Sequence, residues 1–151
     1  MKLNTAPLSS IEYGIPTIAD GVYFVRMITE KVGLKPNKAG TGNNVVVAVK
    51  VVDPVVMTRE GKPVENRGQF EYSRYISLVS TAEYTPDKML KELAIALAVP
   101  ADKEDFELAD IQGYCKAKIV YKKAEGQYPD GNEIKGFYPI KDSDNFTPTG
   151  L

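Results

Sequence analysis

Nine residues, Val45 to Asp53 (VVVAVKVVD), constrain this fold more than any other stretch. β-branched side chains lose rotamer freedom in a helix and pack well on a pleated surface, so this density specifies a strand. Alternation places Val45, Val47, Val49 and Val51 toward a core, with Ala48 and Lys50 outward. Such a strand is stable only inside a sheet.

Further strand patterns flank it. From Gly21, GVYFVRMITEKV sets Tyr23, Val25 and Met27 on one face and Phe24, Arg26 and Ile28 on the other. QFEYSRYISLV, from Gln69 to Val79, puts Phe70, Tyr72, Arg74, Ile76 and Leu78 on one side and Tyr75 on the other. An arginine among apolar residues suggests that this face is partly open to solvent or ligand. GYCKAKIVYKK, Gly113 to Lys123, turns Cys115, Ala117, Ile119 and Tyr121 inward and Lys116, Lys118 and Lys122 outward. The turn YPDGN joins it to a fifth strand, NEIKGFYPI, as a hairpin.

One helix interrupts the strands. In TPDKMLKELAIALAV, Thr85 can cap, Pro86 suits the first helical position and Asp87 the positive end of the dipole. Leu90, Leu93, Ala94 and Leu97 form one apolar stripe, and Pro100 stops the helix. Three strands, one helix and two strands predict a mostly antiparallel five-stranded barrel of OB-fold type, with the helix between strands 3 and 4. The expected layout is an extended arm over 1–17, the barrel over 18–140 and a flexible tail over 141–151.

Composition narrows the chemistry. The 151 residues contain no histidine and one cysteine. This removes the commonest general base, nucleophile–histidine pairs and ordinary zinc sites. The acidic residues form no close D-x-D or E-x-x-E cluster on a strand end. A non-enzymatic protein without cofactor is therefore expected. The single Cys115 fits a reducing compartment and packs as a small hydrophobe. The N-terminus lacks the apolar core of a signal peptide, and no apolar run reaches membrane-span length, so a cytoplasmic protein without membrane contact is expected.

Net charge is −1, but it is segregated. Glu83 to Asp110 holds eight acids against three bases; the rest of the chain holds sixteen bases against twelve acids. Local field governs binding more than the total does. Within the basic portion, Lys35 to Asn44 (KPNKAGTGNN) reads as a mobile, basic loop suited to a polyanion backbone. It is no P-loop: G-x-x-x-x-G-K-[ST] is absent and a strand follows, so no helix N-terminus is offered to a phosphate. Aromatic residues beside basic ones, as in Phe24–Arg26 and Tyr72–Arg74–Tyr75, suit base stacking next to phosphate contacts. The acidic stretch DKEDFELAD solvates the link after the helix and can repel nucleic acid from that face. Asp142, Asp144 and Phe146 in the tail suit flexible filler more than a partner-binding peptide.

The string GVYFVRMITEKVGLKPNKAGTGNNVVVAVKVVD, with LKELAIALAVP, GYCKAKIVYKK and GNEIKGFYP, resembles phage-encoded single-stranded DNA-binding proteins of OB-fold type. The resemblance spans about Ala19 to Pro139. It implies a non-catalytic protein that coats single-stranded DNA during replication or recombination in the cytoplasm of a bacterial host, working beside replication or recombination proteins. The absence of tryptophan and of a strongly acidic terminal peptide departs from the better-known bacterial pattern and puts tail-mediated recruitment in doubt.

The expected DNA groove lies on the second and third strands. Lys35, Lys38, Lys50, Arg59, Lys62, Arg67 and Arg74 would contact phosphates, with Arg26 alongside, while Tyr72, Tyr75 and Phe24 would stack bases. The competing expectation is a structural or assembly protein using the barrel for protein contacts. An enzyme acting on nucleotides comes third.

Overall fold

The computed structural model describes residues 17–79, 86–126 and 130–151. The elements in chain order are β1 (Gly21–Met27), β2 (Gly33–Pro36), β3 (Asn43–Val51), β4 (Val55–Met57), β5 (Pro63–Glu65), β6 (Glu71–Ser77), α1 (Pro86–Ala96), β7 (Tyr114–Lys122) and β8 (Gly131–Tyr138). Among the described residues the protein is mostly β with one α-helix, and their strand pairs are antiparallel. The helix is not long and apolar enough to cross a membrane.

Among the described residues there are eight strands where five were expected. The first predicted strand is broken by a short 3-10 helix at Thr29–Lys31, after which β2 forms; the connector after Asp53 folds into the β4–β5 hairpin. Strand β3 is the centre of the six-stranded sheet. One of its edges is shared by β2 along its first half and β1 along its second, while β6 takes the other edge. β1 pairs onward with β7, and β7 with β8. The sheet is not closed into a barrel. β6 and β8 lie side by side without a backbone ladder, and the Arg74 guanidinium donates across the gap to the Ile134 carbonyl at 2.6 Å.

The valine alternation of β3 decides where the core sits. Val45, Val47, Val49 and Val51 pack with Val25 and Met27 of β1, Phe70 and Ile76 around β6, and Cys115, Ala117 and Ile119 of β7. Leu93 and Ala96 bring the helix onto this cluster, with Met89, Leu90 and Leu97 at its margin. Ala48, although outward on β3, is also buried, as is Ile28, whose N–H donates to the Ala48 carbonyl.

Pro86 starts the helix as the sequence suggests; the proposed Thr85 cap lies outside the described residues. The helix ends before Pro100. Val99 N–H reaches the Ala94 carbonyl and Ala98 N–H that of Ile95, the bond pattern of a Schellman cap, with Ala98 at φ 58°. At the other end of the sheet, buried Asn66 donates to the Val51 and Asp53 carbonyls at 2.7 and 2.8 Å and accepts from Gly68 N–H at 2.8 Å. It pins the β4–β5 hairpin to the end of β3.

Candidate nucleic-acid interface

The outward face of β2, β3 and β6 is built from register. Lys35 stands opposite Asn44, which stands opposite Ser77; one step along, Val46 stands opposite Tyr75. Side chains of one face alternate along each strand, so Lys35, Asn44, Val46, Ser73, Tyr75 and Ser77 share the outer surface. Tyr75 is 57% exposed, and the Lys35 ammonium lies 5.9 Å from its ring centroid. A cation at that distance is held by the ring's negative face while both groups stay in water.

The loop that joins β2 to β3 is shorter than its composition suggests and is tied by its own hydrogen bonds. Lys35 and Pro36 belong to β2, leaving residues 37–42 as the connection. Asn37 straps it: its side chain accepts from Thr41 N–H at 3.0 Å and donates to the Thr41 hydroxyl at 3.1 Å, and its own N–H reaches the Gly42 carbonyl at 2.9 Å. Gly40 adopts φ +70°, and a Cβ on Gly42 would stand 2.7 Å from Val79 Cγ2. The two glycines are thus a geometric need of the loop. Lys38 sits exposed at its tip.

The other proposed phosphate ligands do not gather around this point. Lys50 lies on the same outer surface but is half-buried, 3.9 Å from Glu71, which also holds Lys31 at 3.0 Å. Arg59 and Lys62 belong to the β4–β5 hairpin, and Arg67 to the turn just after it, beyond the opposite end of β3 from Lys35. From Asn44, opposite Lys35, to Val51 at the far end of β3 the strand runs about 23 Å. Arg59 lies over the Tyr121 ring at 3.4 Å, and Arg67 pairs with Glu65 at 3.1 Å. Arg74 points to the inward side, between Ile134 of β8 and Met89 Sδ of the helix.

The aromatic candidates also separate. Tyr72 faces inward against the core, and its buried hydroxyl has no hydrogen-bond partner among the described residues. Burial, with a smaller contribution from Tyr23, pushes that phenol well above its ordinary range. Phe24 is outward, but Phe146 stacks on it at 4.7 Å between centroids and 21° between planes, and Phe146 also contacts Tyr114 at 5.4 Å. The segment expected to be a flexible tail lies along this part of the sheet. Arg26 donates to the Leu151 carbonyl at 2.8 Å, Lys116 pairs with Asp144 at 2.9 Å, and the Thr149 hydroxyl donates to the Val52 carbonyl at 2.9 Å.

A charge conflict helps to explain that docking. Arg26 and Lys50 stand directly opposite on β1 and β3, an arrangement that repels. Glu71 offsets Lys50, and the Leu151 oxygen offsets Arg26. The Lys141 N–H, then the Lys116 ammonium, holds the Asp144 carboxyl below the usual carboxylate range. Asp53 lines one hollow with Phe24, Asp144 and Phe146, where burial raises its carboxyl, partly offset by the hydrogen bond it accepts from the Phe24 N–H.

Sequence reasoning left Tyr114, Lys116, Lys118 and Tyr138 out of the proposed site; register sets them on β7 and β8 beside Phe24 and Arg26, away from the β2–β3–β6 face. Tyr114 stands opposite Arg26, Lys116 lies between Phe24 and Tyr138, and Lys118 lies between Val22 and Gly136. The alternation in GYCKAKIVYKK carried that signal. Cys115 is fully buried, and desolvation pushes its thiol up to about 12. Comparison of the chain with protein-family models and with curated proteins finds no match.

Proposed function

We propose that this protein binds single-stranded DNA without sequence preference, along the outer face of β2, β3 and β6, and shields it during phage DNA replication or recombination. The carrying observation is the exposed Tyr75 ring with the Lys35 ammonium above it, beside the Lys38 loop. A π-face accepts any base, and neighbouring lysines neutralise the backbone, so the pair supplies both halves of sequence-tolerant binding. Asn44 and Ser73 offer hydrogen bonds around it without imposing a base identity.

The connectivity supports reading the six-stranded sheet as an OB-like barrel left open between β6 and β8. β1 pairs with both β3 and β7, β3 with β6, and β7 with β8, with the helix following β6. In that arrangement the outer surface of β3 and β6 is where oligonucleotides lie. The activity is stoichiometric coating, non-catalytic and without cofactor, in the cytoplasm of a bacterial host beside replication or recombination proteins. This last part rests on the family resemblance of the sequence.

Titration of fluorescent oligo-dT at several salt concentrations tests the reading. Affinity should fall with salt at a log–log slope of about −0.7 per phosphate neutralised. No binding at low salt with a Kd below about 100 µM overturns it.

A further inference from the structure

We propose that the protein has a second single-strand subsite on the outer face of β1, β7 and β8, where Tyr138 stacks a base and Lys118 and Lys141 hold the flanking phosphates. It rests on the single-stranded DNA reading above and places a further contact on a different set of strands.

Register builds the site. On the outer face Val22 stands opposite Lys118, and Lys118 opposite Gly136; two residues along, Phe24 stands opposite Lys116, and Lys116 opposite Tyr138. The Tyr138 ring folds back along β8 over Gly136. A Cβ there would lie 3.2 Å from the Tyr138 hydroxyl oxygen and 3.5 Å from its Cζ. Glycine weakens a strand, and here its bare backbone lets the ring lie down on the sheet. The ring is 43% exposed, and among the described residues no other ring and no hydrogen bond engages it. Phe24, in the same row, differs in that Phe146 already stacks on it.

Val22, 54% exposed, shares a hollow of about 420 Å³ with Tyr138, and Lys116, Pro139 and Lys141 complete its lining. That lining includes two lysines and no acid. Lys116 is taken by Asp144 at 2.9 Å, and Glu133, further along β8, is taken by Lys135 at 2.9 Å. Exposed Lys118 and Lys141 form no ion pair among the described residues; exposed Asp142 follows Lys141 but does not line the hollow. An open ring beside two uncompensated lysines fits single strand better than protein. A protein partner would have to supply acids at matching places, whereas any stretch of single strand brings a phosphate with each base.

Photocross-linking of the intact chain to oligo-dT carrying 5-iodo-deoxyuridine tests this, because the halogenated base joins to an aromatic ring on which it lies. Peptide mapping at saturating DNA should find adducts at both Tyr75 and Tyr138. Tyr138→Ala should lose the second adduct, keep the first and keep the parent melting temperature, and Tyr75→Ala should keep the adduct at Tyr138. Lys118→Ala with Lys141→Ala should flatten the salt slope by up to about 1.4, one phosphate for each lysine. Adducts at Tyr75 alone overturn the subsite, leave the proposed function standing and open the hollow to a protein partner. So does a salt slope that the lysine pair leaves unchanged. An adduct at Tyr138 alone supports the subsite and overturns the β2–β3–β6 face instead, while absence of any binding overturns both.

Discussion

The ammonium of Lys35 rests 5.9 Å from the ring centroid of Tyr75, across one intervening strand, on a surface that faces water. Neither residue supports the core, so both can change without loss of fold. Tyr75→Ala should weaken oligo-dT binding by about 1–3 kcal/mol, roughly 5- to 160-fold, with an unchanged melting temperature. Lys35→Ala with Lys38→Ala should flatten the salt slope by up to about 1.4, if each lysine neutralises one phosphate. Equal affinities for parent and Tyr75→Ala would remove the stacking role.

Phe24 should behave in the opposite way. Its ring is stacked on Phe146, so Phe24→Ala and Phe146→Ala should each cost about 0.5–1.5 kcal/mol from the lost ring pair, beyond the apolar area they expose. Denaturant titration reads this directly. Additive losses in the double variant would show that the rings are not coupled.

Tyr72 carries a buried hydroxyl without a partner among the described residues. Removing only that oxygen removes a desolvation penalty, so Tyr72→Phe should leave stability unchanged or raise it by about 1 kcal/mol, with DNA affinity intact. A loss of binding in Tyr72→Phe would place this ring in the interface after all.

Ala98 holds a left-handed conformation that glycine adopts without strain. Ala98→Gly should raise stability by about 1 kcal/mol, read as a melting temperature higher by about 2–4 °C.

The docking of residues 142–151 should depend on pH through Asp144. Its carboxyl is lowered in the folded protein by the Lys141 N–H and the Lys116 ammonium. A lowered folded value means stabilisation that is present at neutral pH and lost as pH falls through the carboxylate range. The melting temperature of Asp144→Asn should therefore lie below the parent's near neutrality, and the gap should close on acidification below about pH 4. A gap that is constant with pH would mean that the Lys116–Asp144 pair does not hold the segment.

Local pattern alone determined a good deal here. The Val45–Val51 alternation, the inward Cys115–Ile119 set and the Leu90–Leu97 stripe are legible because burial on one face imposes a period on the sequence. The outward placement of Tyr75 follows from the same period. Tertiary structure decided what each outward or inward position meets. Arg74 shares its face with Phe70 and Ile76, and only the approach of β8 shows that its guanidinium spans an unpaired gap. Phe24 and Arg26 read as free ligands until residues far along the chain, Phe146 and Leu151, close over them. The short strands β4 and β5 were missed because three residues carry too few alternations to register as a period. Periodicity records which side of a strand is buried. Which distant segment does the burying is decided by long-range packing, and a local pattern holds no trace of it.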